Sequence, residues 1–175
     1  TLVGVVDADL GLAGGDLRAA ERTFQILMQV AGRAGRESRP GVAILQTLQP
    51  ENPVISALLD GDRDEFLAYE VAARQAAGMP PFKRLASIVL SASDQERLNT
   101  AADTLARAAP RFKGVDIFGP TVAPLSFLRG KHRTRVLIRG EKSVDIQQVV
   151  KSWVEDVKLP TSVRLYIDID PYSFL

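Results

Sequence analysis

Residues 29–36 read Gln29-Val30-Ala31-Gly32-Arg33-Ala34-Gly35-Arg36. Two glycines, two arginines and a glutamine fall within eight residues, at the end of a helical pattern. Leu17, Ala20, Phe24, Leu27, Met28 and Ala31 precede or enter the string at spacings that place them on one apolar stripe. Asp16 follows the break at Gly14-Gly15 and stands where an N-cap is expected. Arg18, Glu21, Arg22 and Gln25 lie largely off the stripe. On a last helical turn Arg33 and Arg36, three apart, point the same way. Two aligned guanidiniums beside bare glycine backbone suit a polyphosphate, because each planar fork can donate two hydrogen bonds to anionic oxygens. Basic residues at a frayed helix end, facing the dipole, are the structural alternative.

Outward from the helix the pattern becomes strand on both sides. Residues 2–6 are a nearly continuous apolar run ending in Asp7-Ala8-Asp9, which predicts a buried parallel strand with polar residues at its C-terminal end. Ligands of open α/β sheets bind at that end. The Asp-x-Asp pair has the chemistry for a divalent metal, though capping a loop is its commoner use. Pro40-Gly41 turns the chain into a second strand over residues 42–48, completing a βαβ unit. Asn52-Pro53 is a cap-plus-N1 signal for a short helix ending near Asp60-Gly61. Asp62 and Glu65 open a second helix to about Ala77, with Phe66, Leu67, Val71 and Ala72 on its apolar face. Gly78 and Pro80-Pro81 stop it.

From Arg84 onward the pattern is that of a small α+β domain. A strand is predicted over residues 85–90. Ser93 with Glu96 reads as a capping box for a helix to about Ala109, with Leu98, Ala101, Ala102, Leu105 and Ala108 inward. Residues 115–118 are short and extended, and Gly119-Pro120 and Pro124 bound a further extended piece. A strand over 133–139, a helix over 144–157 and a strand over 163–169 follow. This β-α-β, β-α-β order predicts a split-βαβ sandwich with its helices on one face. The fold expected is thus α/β followed by α+β. Its divisions are residues 1–50, a helical connector over 51–80, and a C-terminal domain over 81–175.

One strand of that domain is unusually basic. Arg129, Lys131, Arg133, Arg135 and Arg139 all carry odd numbers, so along an extended chain they share one face, while Val136 and Ile138 turn to the core. The same alternation puts Val163, Leu165, Ile167 and Ile169 inward on the last strand, with Arg164 and Tyr166 outward. Were the two strands neighbours, Tyr166 would stand among the arginines, and almost no acid lies nearby in sequence. A basic stripe with an aromatic suits a nucleic-acid backbone and a stacked base; a solvated sheet face is the alternative. His132 has an even number and reads as a structural, inward histidine. Trp153 lies with Val149, Val150 and Val157 on the apolar side of its helix and reads as core.

Composition narrows the classes. With 46% apolar and 25% charged residues, a chain of 175 residues can bury a core. A formal net charge of +1 gives no global field toward nucleic acid, so any attraction must be local. The absence of cysteine excludes disulfides and thiolate metal sites in this chain, and one histidine does not make a histidine zinc site or a Ser-His-Asp triad. No apolar run approaches the ~20 residues of a membrane span, and no secretory signal is evident; a cytoplasmic protein is expected.

The Q-x-x-G-R-x-G-R string resembles motif VI of superfamily 2 helicases, with five positions fixed in eight. Asp16-Leu17-Arg18-Ala19-Ala20-Glu21-Arg22 precedes it, Met79-Pro80-Pro81-Phe82 follows, and Asp168-Ile169-Asp170-Pro171 stands near the end. With these, the chain resembles the C-terminal part of the PriA family of primosomal replication-restart DNA helicases. The resemblance is weakest over residues 95–113. It implies that residues 1–50 are the tail of a second RecA-like lobe and that the chain is a piece of a longer 3′→5′ helicase. It also implies that Arg36 is the arginine finger, with Arg33 and Gln29 near the γ-phosphate of ATP. Magnesium would accompany the nucleotide, and zinc would sit in a cysteine segment outside this chain. Branched and single-stranded DNA, the single-stranded-DNA-binding protein and primosome proteins are the implied partners. Lys142 and Gln147 are the nearest matches for the pocket that takes the binding protein's acidic tail, although Asp145 would oppose that tail. No G-x-x-x-x-G-K-[ST] loop and no Asp-Glu-x-His box occurs, so ATP hydrolysis by this chain alone is not expected. A non-enzymatic nucleic-acid-binding or adaptor domain, and another superfamily 2 translocase, are the competing readings.

Overall fold

A parallel strand pair needs a crossover, and an amphipathic helix needs an apolar partner; the first third of the chain answers both with one βαβ unit. The computed structural model describes residues 2–12, 16–35 and 41–173. Strand β1 (Leu2–Val5) pairs in parallel with β2 (Val42–Leu45), joined through helix α1 (Ala19–Ala34). Helices α2 (Pro53–Asp60) and α3 (Arg63–Ala77) follow. The chain divides into two compact units, residues 1–73 and 74–175.

In the first unit the core gathers Phe24 and Leu27 of α1, Val54, Ile55, Ala57 and Leu58 of α2, and Phe66 of α3. The Phe24 and Phe66 rings stack at 4.4 Å between centroids. Asn52 caps α2 through its side chain, which accepts from Val54 N at 3.0 Å, and Pro53 takes the first turn, as the sequence predicts. Gly61 closes α2 at φ +69°, a conformation that costs a residue with a Cβ. Asp62 Oδ1 accepts from Glu65 N at 2.9 Å and so starts α3.

Four sequence expectations change here. The strands are parallel but not buried: Leu2 is 67% and Val42 59% exposed, because alternate residues point away from α1. The second strand ends at Leu45, and Leu48 is 94% exposed. Asp16 does not cap α1; Arg18 holds the N-cap position with no side-chain capping bond, its guanidinium pairing instead with Glu21 at 2.7 Å, and Asp16 Oδ2 pairs with Arg22 at 2.6 Å. On α3 only Phe66 is buried, and Leu67, Val71 and Ala72 face outward. Asp9 supports the loop-capping use of Asp7-Ala8-Asp9, since its carboxylate accepts from Thr47 Oγ1 and Leu48 N, each at 2.6 Å.

The second unit is one antiparallel sheet, ordered β4 (Val115–Leu128), β5 (Lys131–Gly140), β3 (Arg84–Ala92), β6 (Arg164–Ile169). Helices α4 (Gln95–Arg107) and α5 (Ile146–Glu155) connect β3 to β4 and β5 to β6, which is the split-βαβ order. Both helices pack on the face made by Ala86, Ile88 and Leu90 of β3 and Val136 and Ile138 of β5. Trp153 is buried there, and its Nε1–H donates to Leu105 O at 3.1 Å, tying α5 to α4. Asp170 clamps the far end of the sheet. Its Oδ2 accepts from Arg84 Nη2 at 2.6 Å, and that hydrogen bond, aided by the nearby charge, raises the arginine pKa.

Local corrections again follow from chemistry. Asp94, one residue after Ser93, caps α4, accepting from Glu96 N at 2.9 Å and Arg97 N at 3.1 Å. A carboxylate in extended backbone does the work that the sequence reading gave to Ser93. Helix α4 ends at Arg107, which leaves Ala108 exposed. The two extended pieces expected before Arg129 are one strand, β4, with register shifts after Phe118 and after Val122. Ile167 lies on the core face by register, yet it is 43% exposed because β6 is an edge strand.

Candidate functional site

The face of the sheet opposite α4 and α5 is set by the outward residues of three strands. Register places them in rows. Arg133, Ser91 and Arg164 form one row, Arg135, Val89 and Tyr166 the next, and Leu137, Ser87 and Asp168 the third. Neighbouring strands stand about 4.8 Å apart, so the ends of a row are about 9.5 Å apart; rows follow one another at about 6.8 Å. The central strand offers only small or short side chains here, and Ser87 and Ser91 are buried. Longer side chains on both flanks therefore wall a cleft of about 460 Å³ with β3 as its floor. A volume of that order fits a small ligand or one nucleotide unit.

One wall is cationic. Leu128 pairs with Lys131, so β4 and β5 join through Arg129-Gly130 alone. Both turn residues have positive φ, +51° and +75°, the geometry of a tight two-residue hairpin. Arg129 and Lys131 thus project from the hairpin end, and Arg133 follows along β5, where its Nη1 donates to Leu125 O at 3.4 Å. Arg135 is half-buried, and burial lowers its pKa, although a guanidinium stays charged at neutral pH. The opposite wall holds Arg164, Tyr166 and Asp168, with Ser173 beyond them. Tyr166 is 54% exposed, so its ring face is accessible.

The structure separates some residues that the sequence grouped. Strand β3 runs between β5 and β6, so Tyr166 faces the basic residues across the cleft and does not stand among them. Arg139 lies on the same face but is already engaged. Its Nη2 is 2.8 Å from Asp116 Oδ2, its Nη1 donates to Ala77 O at 2.6 Å, and its guanidinium lies 5.0 Å from the Phe118 ring centroid. The expectation that almost no acid accompanies the stripe is therefore corrected at Asp116, which sits opposite Arg139 in the β4–β5 register. Arg164 lies outward beside Tyr166 as expected, Asp168 figured in the sequence only as part of a motif, and Ser87 and Ser91, which also belong to the cleft, carried no sequence assignment. The available signal was the run of small outward residues alternating with Ala86, Ile88 and Leu90.

Other candidates lie elsewhere. His132 is half-buried with its ring 4.9 Å from that of Phe127, a structural contact. Lys142 and Gln147 are exposed on either side of Asp145, whose carboxylate caps α5 by accepting from Gln148 N at 3.0 Å. In the first unit, Gln29 and Arg33 are exposed one helical turn apart on α1, and Gln29 borders a cleft of about 380 Å³ with Phe24, Met28 and Phe66. Arg36 lies outside the described residues, as does the terminal Phe174-Leu175. Among the described residues no group of three His, Asp or Glu could hold a metal ion, and no helix is long and apolar enough to cross a membrane.

Comparison with known proteins gives the family. Residues 75–172, more than half of the chain, match the family of the primosomal protein N C-terminal domain. The chain belongs to the PriA family. It is 47% identical over 174 residues to the replication restart protein PriA of Rickettsia felis, covering 99% of this chain and 27% of that protein. The protein of the same name from Treponema pallidum is 36% identical over 176 residues, with 99% and 27% covered. That from Bacillus subtilis is 32% identical over 180 residues, with 100% and 22% covered. The chain thus spans about a quarter of the length of these relatives.

Proposed function

We propose that this chain is the C-terminal portion of an ATP-dependent 3′→5′ DNA helicase that reloads the replisome at stalled forks. In this reading residues 1–50 close the second RecA-like lobe, and residues 81–175 bind DNA at branched forks and single strands. The observation that carries it is the sheet-face cleft, where Arg129, Lys131 and Arg133 face an accessible Tyr166 across a floor of small residues. Cations track a phosphate backbone and an aromatic ring stacks a base without regard to its identity. Anisotropy with a labelled single strand tests it directly. Replacing Arg129, Lys131 and Arg133 with alanine should weaken binding at low salt, and unchanged binding by that triple variant would remove the cleft from the mechanism.

The nucleotide reading rests on Gln29, Arg33 and Arg36. Gln29 and Arg33 are exposed on the end of α1, where donors can reach a phosphate held by another lobe. ATP and magnesium would be bound chiefly by residues outside this chain, and so would zinc. Phosphoryl transfer to water is catalysed largely by positioning and charge, and a finger arginine is worth ~10³ to 10⁵ in rate. In a full-length protein carrying this segment, Arg36→Ala should lower kcat far more than nucleotide affinity. A normal kcat in steady-state assays would take the string out of catalysis. A cytoplasmic location, and contacts with primosome proteins and with the single-stranded-DNA-binding protein through exposed Lys142 and Gln147, belong to the same reading.

A further inference from the structure

The three rows of the cleft are chemically different, and their order is that of a nucleotide. The first row ends in two arginines, Arg133 and Arg164, flanking buried Ser91. The second ends in half-buried Arg135, which does not line the cleft, and in Tyr166, with Val89 between them as an apolar floor. The third ends in Asp168, opposite Ser87. Among the described residues no hydrogen bond or ion pair engages the Asp168 carboxylate, and none engages the side chains of Arg129, Lys131 or Arg164. Asp168 also lines the cleft together with Tyr166, two residues earlier on the same face of β6. An acid in a site for polyanions repels phosphate, so the backbone keeps to the arginine row. A base stacked on Tyr166 then directs its edge toward the carboxylate.

We infer that the cleft holds one unpaired nucleotide and prefers guanine, with Asp168 accepting from its Watson–Crick edge. This rests on the DNA reading above and goes beyond it, since stacking and phosphate contact alone are blind to sequence. An ionised carboxylate is acceptor-only, with two oxygens side by side. Guanine presents two adjacent donors, N1–H and N2–H, that match both oxygens. Adenine and cytosine set a ring-nitrogen acceptor beside their amino donor, and thymine flanks its single N–H with two carbonyls. Each of those bases turns a lone pair toward one carboxylate oxygen. In a duplex the guanine edge is occupied by cytosine, so the same geometry selects single strands.

The test uses the 175-residue chain and three labelled oligonucleotides: an all-thymidine strand, the same strand with one central guanosine, and the same strand with inosine there. The guanosine strand should bind at least about fivefold more tightly than the all-thymidine strand, the low end for a bidentate base contact. Inosine, which lacks the N2 amino group, should fall between. Annealing the guanosine strand to its complement should abolish the preference. Asp168→Asn removes an acceptor and a charge at an exposed position while keeping the shape. It should erase the guanine preference, so that the guanosine and all-thymidine strands bind alike. Equal affinity for the first two strands, or a preference that survives Asp168→Asn, overturns the inference. If binding is base-blind yet lost when Lys131 and Arg133 become alanine, guanine reading falls and the DNA cleft stands. If no strand binds, both fall.

Discussion

In the unit of residues 74–175, the middle strands are paired on both sides and one face is roofed by two helices. In the unit of residues 1–73, β1 has one neighbour among the described residues, and the alternate side chains Leu2, Val42 and Ile44 meet solvent. The fully buried large side chains show the same contrast. Among the described residues Leu85, Ile88, Leu90, Leu98, Leu105, Val136, Ile138, Ile146 and Val150 belong to the second unit, and only Ile55 to the first. A split-βαβ order brings its own strands and helices together and closes a core from within one segment. Parallel strands are normally covered on both faces by helices from further βαβ units. One βαβ unit with two added helices covers one face only. The difference is one of closure, and it predicts different stability.

The largest effect that tests this contrast is a core truncation. Leu90→Ala leaves a cavity between β3 and the helices and should cost about 2–5 kcal/mol. Ile44→Ala removes a side chain that is already mostly in water and should stay within about 0.5 kcal/mol. Urea denaturation followed by circular dichroism measures both. Hydrogen exchange on dilute, demonstrably monomeric protein adds the local view, with amides of β3 and β5 exchanging far more slowly than those of β1 and β2. Comparable costs for the two variants, together with equal protection, would end the comparison.

How far the sequence could be read differs along the same line. The alternation from Lys131 to Gly140 made the inward and outward faces of β5 legible, and the stripe of α4 did the same for Leu98, Ala101, Ala102 and Leu105. Period alone does not say which strands are neighbours. That is why β3 between β5 and β6, and Asp116 opposite Arg139, emerged only in three dimensions. The apolar run at residues 2–6 looked buried because its composition is that of a doubly covered strand, whereas exposure depends on what covers it. Asp168 was quoted as part of a motif, yet its role as a cleft wall comes from standing opposite Ser87 across a strand boundary. Arg36 carries the sharpest sequence signal and lies outside the described residues.

DNA binding should follow the closed unit, with a smaller effect per residue. Each phosphate contact removed from a single-strand complex lowers the log–log salt slope by roughly 0.7. Arg133→Ala should show that loss in anisotropy titrations at several salt concentrations. Arg139→Ala should leave the slope nearly unchanged, because Asp116 already neutralises that guanidinium. Arg33→Ala, on the helix of the first unit, should leave it unchanged as well. A slope loss at Arg139 equal to that at Arg133 would mean that the ion pair opens on DNA, and one at Arg33 would spread the DNA surface to the first unit.

The smallest effects expected come from two helix caps of similar chemistry, one in each unit. Asn52 Oδ1 accepts from Val54 N at 3.0 Å, and Asp94 Oδ1 accepts from Glu96 N and Arg97 N. Replacing either with alanine leaves first-turn donors to water and should cost about 1 kcal/mol. The readout should nevertheless differ. Trp153 is the only tryptophan, is buried in the second unit, and donates to Leu105 O of α4, the helix that Asp94 starts. Its fluorescence therefore reports unfolding of that unit. Asp94→Ala should lower the urea midpoint seen by Trp153, whereas Asn52→Ala should leave that midpoint in place and instead speed exchange of the amides of α2. If the two units unfold as one cooperative body, both caps shift the Trp153 midpoint by similar amounts. That outcome would show that the open face of β1 and β2 does not make the first unit a separate, weaker one.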